Sequence, residues 1–315
     1  MSDAATIPVE QILREELARG DVVISTTVPI LRHLVTTDDH ALFSDEIIAR
    51  VRGIISDLSR QLLFLVADAY GAEDRWKFAA PMHGSLGERL TALPELLGHV
   101  HSLAQEYQFA NVLARRAGID PVLTPLLQEV MASNDAPRSE LAMRALAAQS
   151  RFFQHLRRME LPIGELPGAL FGSALLALRS VAGDEFPDAV DPAEASLRAA
   201  FDEGNARLGI MERLLAEPAD RAHEALSLGY AGIALFSTAL AISTPQDRTL
   251  AVLSLNDRQV ARLAIALRAA GLSAEAIEEQ LLILHPDHSM PDRVGDIDPR
   301  QAALMLADAF PGSRG

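Results

Sequence analysis

The chain has 315 residues, 49% hydrophobic, 23% charged and 5% aromatic, the profile of a globular protein with enough apolar material for a sizeable core. Its 28 Lys+Arg against 43 Asp+Glu give a formal charge of -15, which repels phosphate backbones at long range and argues against nucleic acid as a partner. No cysteine is present, so disulfides, thiolate zinc sites, Cys-ligated iron–sulfur clusters and cysteine nucleophiles are all excluded.

From Met1 to Arg14 there is no basic region followed by an apolar one, so no secretory signal is expected, and Pro8 reads as a first-turn helix proline. From Ser44 to Ala69 the apolar residues Ile47, Ile48, Val51, Ile54, Ile55, Leu58, Leu62, Leu63 and Val66 keep a helical step up to Tyr70 and Gly71. The stretch from Ala72 to Leu86 mixes Asp74, Pro81 and Gly84 with the only tryptophan, Trp76, and reads as a structured loop. Later helices are expected over Pro94–Ala117, Pro121–Ala132, Pro137–Glu160, Leu166–Ala182, Pro192–Ala216, Pro218–Ser243, Asp257–Ala270, Ala274–Leu284 and Pro299–Ala309. Breaks fall at Gly183–Asp191 and His285–Asp298. The expectation is an all-α protein of about ten to twelve helices, either an irregular multi-helix bundle or a HEAT-like array. It divides into residues 1–182 and 183–315, or forms one continuous domain.

The charge-free stretch Ala225–Gln246 is diluted by Ser227, Gly229, Gly232, Ser237, Thr238 and others, so a central buried helix over Glu224–Ile242 is expected rather than a membrane span. The cytoplasm follows as the expected location. Acid is concentrated in two intervals: Gly183–Glu224 holds eleven acids against four bases, and Ser273–Asp298 seven against one. These read either as docking faces for a basic partner or as solvated faces. The helix–turn–helix spacing of Asp257–Leu284 lacks a recognition chemistry, because Glu275, Glu278 and Glu279 would face phosphate.

Two constellations stand out. On the helix from Pro94, the residues Glu95, His99, Ser102 and Glu106 share one arc beside the apolar arc of Leu96, Val100, Leu103, Tyr107 and Ala110. Carboxylates with an imidazole can ligate a metal or run acid/base chemistry if that arc faces a cleft, and otherwise form a solvated line. The Glu-x-x-His pattern of di-iron bundles does not occur. On the helix from Pro137, Arg144, Arg151 and Arg158 recur every seven residues opposite an apolar face, and with Arg138 and Arg157 they place five arginines against one acid, Glu140. Such a stripe grips an acidic helix or phosphates, or pairs with the protein's own acids. His285, Asp287, His288 and Asp292 form a looser group that reads as a surface turn. No phosphate loop, dinucleotide fingerprint, Gly-x-Ser-x-Gly elbow or His-Glu-x-x-His motif is found.

Ile119-Asp-Pro-Val-Leu-Thr-Pro-Leu-Leu-Gln-Glu-Val130, and then Gln149 through Pro167 with Arg157-Arg158-Met159-Glu160-Leu161-Pro162, resemble the bacterial family catalogued as domain of unknown function 2336. The likeness spans about the middle half of the chain and implies an all-helical fold in a bacterial cytoplasm, with no activity or site residue attached. The reading is therefore a non-enzymatic interaction or regulatory protein, an adaptor or scaffold. It binds another protein through the arginine stripe and acidic faces, without cofactor, metal or membrane insertion, and with a homo-oligomer left open. The rival is a helical metal-dependent or acid/base enzyme using Glu95, His99 and Glu106.

Overall fold

The computed structural model describes residues 9–36, 45–217, 220–291 and 293–309, and every regular element among them is helical. In chain order these are α1 (Val9–Thr36), α2 (Asp45–Tyr70), α3 (Arg75–Thr91), α4 (Pro94–Ala117), α5 (Pro125–Met131), α6 (Ala136–Arg157), α7 (Gly168–Ala182), α8 (Pro187–Ala200), α9 (Arg207–Ala216), α10 (Arg221–Glu224), α11 (Leu228–Ser243), α12 (Arg248–Leu253), α13 (Val260–Ala269), α14 (Ala274–Leu284) and α15 (Pro299–Ala309). Short 3-10 turns lie at Ile163–Glu165, Glu203–Asn205, Asp257–Gln259 and Val294–Asp296. The all-α expectation holds. Only α5, α10 and α12 are shorter than ten residues, so the longer helices match the expected number; α5 and α10 come from expected runs that shorten or break, and α12 lies between two expected runs.

Three runs differ from their expected form. The stretch from Ala72 to Leu86 is not a loop: Asp74 accepts hydrogen bonds from the backbone N–H of Trp76 (2.9 Å) and Lys77 (3.1 Å) and so starts α3, which continues through Pro81. The burial of Ala79, Met82, Leu86 and Leu90 along one stripe outweighs the proline. The run Pro192–Ala216 divides, because α8 begins earlier, with Pro187 in its first turn, and ends before the 3-10 turn and α9. The third run, Glu224–Ile242, is buried from Ala231 to Leu240 as expected, but it is not one straight helix. Gly232 sits at φ 68°, a conformation that favours glycine, and a Cβ there would come within 2.7 Å of Thr124 Cγ2.

The chain folds into two compact units, Met1–Thr27 with Gln108–Met143 and Met211–Gly315, and Val28–Tyr107 with Arg144–Ile210. Each draws on residues before and after Gly183. In the first unit, α13 packs against α14 and α15, and α11 against α5, α10 and α12. Leu263 to Leu267 are buried without a break, so α13 is its central rod. In the second unit, α2 lies against α3, α7 and α8. The apolar residues expected on α2 are buried there, with Val51, Ile54, Leu58, Leu62, Leu63 and Val66 all fully covered. Each such side chain contributes about 1.5–3 kcal/mol.

A second stripe of α2 is polar and grips the end of α6. Leu156 O accepts from Arg50 Nη1, and Leu161 N donates to Asp57 Oδ2 at 3.0 Å. Gln61 accepts from Ile163 N at 3.0 Å and donates to Leu161 O at 2.8 Å. Residues 50, 57 and 61 recur at intervals of seven and four, which puts them on one face of the helix. Between them Gly53 leaves room for Met159, whose Cβ would lie 2.5 Å from a Cβ at position 53.

Replacing Gly53 by Ala tests this close approach. Alanine improves helix propensity by about 1 kcal/mol, but its methyl group displaces Met159, and overpacking of this kind costs about 1–3 kcal/mol. We expect Gly53→Ala to lower the urea midpoint at constant slope; an unchanged or higher midpoint contradicts the contact.

Candidate functional site

The arc expected on α4 is mostly buried rather than solvated. Glu95 is exposed, whereas His99, Ser102 and Glu106 are covered, as is His101. Ser102 Oγ turns back to His99 O at 2.8 Å, a local bond that satisfies the hydroxyl within its own helix. Glu106 meets Arg207 from the start of α9 in a bidentate pair, with Nη1–Oε1 at 2.6 Å and Nη2–Oε2 at 3.1 Å. Both residues are essentially sealed, at 1% and 2% side-chain exposure, which makes the pair obligatory for each. Arg207 Nη1 also donates to Gln149 Oε1 at 3.0 Å, and the guanidinium lies 3.6 Å from the Phe152 ring centre. Glu165 accepts from the Arg207 backbone N–H at 2.8 Å. One arginine thus ties α4, α6, the 3-10 turn at Ile163–Glu165 and α9.

This geometry changes what the arc can do. Both oxygens of Glu106, at the middle of α4, are held by a guanidinium, while Glu95 lies in the first turn of that helix and is exposed. Among the described residues, no group of three or more His, Asp or Glu side chains is arranged to hold a metal ion. His101 has its own polar neighbour: Gln105 Nε2 lies 3.2 Å from His101 Nε2. Burial pushes the His101 pKa down to about 4.

The arginine stripe ends differently from the helical extrapolation. Arg144 and Arg151 are exposed on α6, and Arg144 donates to Asn205 Oδ1. The helix stops at Arg157, so Arg158 belongs to the turn rather than to a third repeat. That turn is a Schellman cap: Glu160 N bonds His155 O at 3.0 Å and Met159 N bonds Leu156 O at 3.1 Å. The left-handed position, usually glycine, is Met159 at φ 59°. A side chain in that region costs about 1–2 kcal/mol and persists where the surroundings enforce it, here through Arg50, Asp57 and Gln61. Glu160 pairs with His155 at 3.5 Å. Arg151, Arg157 and Arg158 are exposed, and none has an ion-pair partner among the described residues. Arg157 was countable in the sequence, but only the cap geometry groups it with Arg151 and Arg158.

Much of the first acidic interval is occupied locally. Asp191 and Glu194 both hold Arg179, at 2.8 and 3.0 Å, and Asp202 caps the turn that follows α8. Asp184, Glu185 and Asp188 remain exposed. In the first unit, His285 Nε2 donates to Leu255 O at 2.9 Å, and burial holds this imidazole below its ordinary value. Asp292 lies outside the described residues. No helix among the described residues is long and apolar enough to cross a membrane. Comparison with protein-family models, curated proteins and solved structures finds no match for this chain.

Two outcomes follow from the buried groups. Glu106→Leu or Arg207→Met alone strands a buried charge and should cost about 3–5 kcal/mol in urea unfolding. The double replacement Glu106→Leu with Arg207→Met should cost clearly less than the sum; strict additivity contradicts a coupled pair. For His101 the folded pKa, about 4, lies below the ordinary 6.5, so the unfolded chain binds more protons between those values. Its stabilising contribution is complete above the upper value and is lost as the pH falls through the window. The loss amounts to about 2 kcal/mol between about pH 7 and pH 5. His101→Gln should flatten the pH dependence by that amount whatever its baseline stability, and an identical slope contradicts the assignment.

Proposed function

We propose that this chain is a non-enzymatic helical interaction protein, an adaptor or scaffold, that takes an acidic segment of another protein on the turn at the end of α6. The carrying observation is that Arg151, Arg157 and Arg158 are exposed without an ion-pair partner among the described residues, with the last two at a turn whose backbone α2 holds at Leu156, Leu161 and Ile163. A guanidinium held on rigid backbone loses little freedom when it binds, and its planar fork matches a carboxylate. Arg144, already bonded to Asn205, is peripheral. The exposed acids Asp184, Glu185 and Asp188 offer a second face, suited to a basic partner. A catalytic reading on Glu95, His99 and Glu106 would require Glu106 to leave Arg207, which would strand two buried charges.

The likeness of residues 119–130 and 149–167 to domain of unknown function 2336 takes in this turn, and we take it as kinship and the cytoplasm as the working location. The triple variant Arg151→Glu, Arg157→Glu and Arg158→Glu should retain its helical circular dichroism and lose the partners that copurify with the wild-type chain. Arg144→Glu should retain most of them. If the triple variant keeps every partner, the reading is wrong.

A further inference from the structure

A cluster of aromatic residues lies further along the same face of α2. Trp76 is 66% exposed, unusual for a side chain of this size in a chain with one tryptophan. Phe64 meets Trp76 edge to face at 4.9 Å, and the Arg60 guanidinium lies 5.7 and 5.8 Å from the two ring centres. Arg75 lies 5.2 Å from Phe64. An exposed tryptophan beside a second ring and two arginines is the composition of an interface centre.

This cluster and the arginine turn are joined through Asp57. One of its oxygens takes Leu161 N, the anchor of the turn, and the other takes Arg60, the cation beside Phe64 and Trp76. Phe64 stands seven residues after Asp57 and so on the same line of the helix, about 10 Å further along. The charges of the band are uneven in availability. Asp57 is engaged as described, Asp68 pairs with Arg75 at 3.3 Å, Asp74 caps α3, and Glu160 pairs with His155. Among the described residues Arg151, Arg157, Arg158 and Lys77 have no ion-pair partner, and of the acids of the band Glu73 has none and Glu160 faces only the imidazole of His155. The unspent charge is cationic, and it flanks an apolar anchor.

We propose that turn and cluster form one docking band for an acidic peptide segment of a partner protein, its carboxylates on Arg157 and Arg158 and a bulky apolar side chain on Trp76. The proposal rests on the arginine-turn reading above and adds the anchor and the chemistry of the peptide. An extended chain rises about 3.3 Å per residue, so the apolar residue follows the acidic run after about three to six residues.

Trp76 is the only tryptophan, so emission reports on this site alone. The probe is a peptide of about six glutamates joined through a Gly-Ser spacer to Leu-Pro-Leu, with a control carrying Ser-Ser-Ser at the end. The first peptide should shift the emission to the blue, shield it from acrylamide and bind in calorimetry about tenfold or more tightly than the control. Trp76→Ala, at a position 66% exposed, should remove that advantage while the helical circular dichroism is retained. Arg157→Glu with Arg158→Glu should abolish binding of both peptides. If both peptides bind alike, emission stays still and only the arginine variant loses affinity, the anchor is wrong and the arginine turn stands. If emission shifts equally in the arginine variant, the arginine turn is wrong and this proposal falls with it. Absence of binding by either peptide at about 1 mM, the weak limit of specific recognition, overturns both. An emission that depends on protein concentration without peptide identifies a second copy as the occupant and overturns the proposal.

Discussion

The carboxylate of Asp57 is the constraint on which the second unit turns. It is buried on α2, accepts the Leu161 backbone N–H and the Gln61 amide on one oxygen, and takes Arg60 on the other. A buried carboxylate is tolerated only with its lone pairs filled, and here the three donors come from a turn, from its own helix and from a partly exposed cation. With Arg50 and Gln61 it fixes the backbone from Leu156 to Ile163 tightly enough for Met159 to stay left-handed. Strain of that kind is maintained only by surrounding contacts, so the shape of the turn belongs to α2 as much as to α6.

Two sets of arginines, at the extremes of burial, have opposite roles. Arg50, Arg207 and Arg262 are buried, and each has found a counter-charge: Glu46 at 2.9 Å, Glu106 at 2.6 Å, and Asp21. Two of them also lie over rings, Arg50 on Tyr107 at 4.2 Å and Arg207 on Phe152. Burial of Arg262 lowers its pKa to about 10, still far above neutrality, so the charge remains and must be paired. Guanidinium suits this work because it is flat, weakly hydrated and forked. The ammonium of the single lysine, Lys77, is at the surface. Arg151, Arg157 and Arg158 form the second set, exposed and available.

What could be read from the sequence follows from what a helix records locally. Spacing on α2 located its buried face, because a repeat over twenty-odd residues averages out exceptions. The same reasoning failed for α3, where Pro81 and Gly84 mask a stripe whose burial is settled by neighbouring helices. On α4 the polar arc was visible, but its fate was not. Whether Glu106 meets water or a guanidinium is decided by Arg207, which lies a hundred residues away and leaves no local periodic trace. The cap that ends α6 was hidden for a simpler reason: methionine stands where glycine would have announced it.

The proposed partner must approach a molecule whose net charge is -15, and at long range it is repelled. Screening confines that repulsion to about 8–10 Å at ordinary ionic strength, so the encounter is decided by whichever charges are nearest. A lone arginine on a mobile side chain would gain little there, since exposed pairs contribute about 0–1 kcal/mol. Two guanidinium groups at one clamped turn, with a third on the helix that leads into it, act together, with the backbone entropy already lost on folding. The rigidity supplied by Asp57 and the concentration of cations on an acidic protein are then two parts of one device. The first makes a short cationic surface geometrically definite, and the second gives the proposed acidic chain a local attraction within a molecule that repels it at long range.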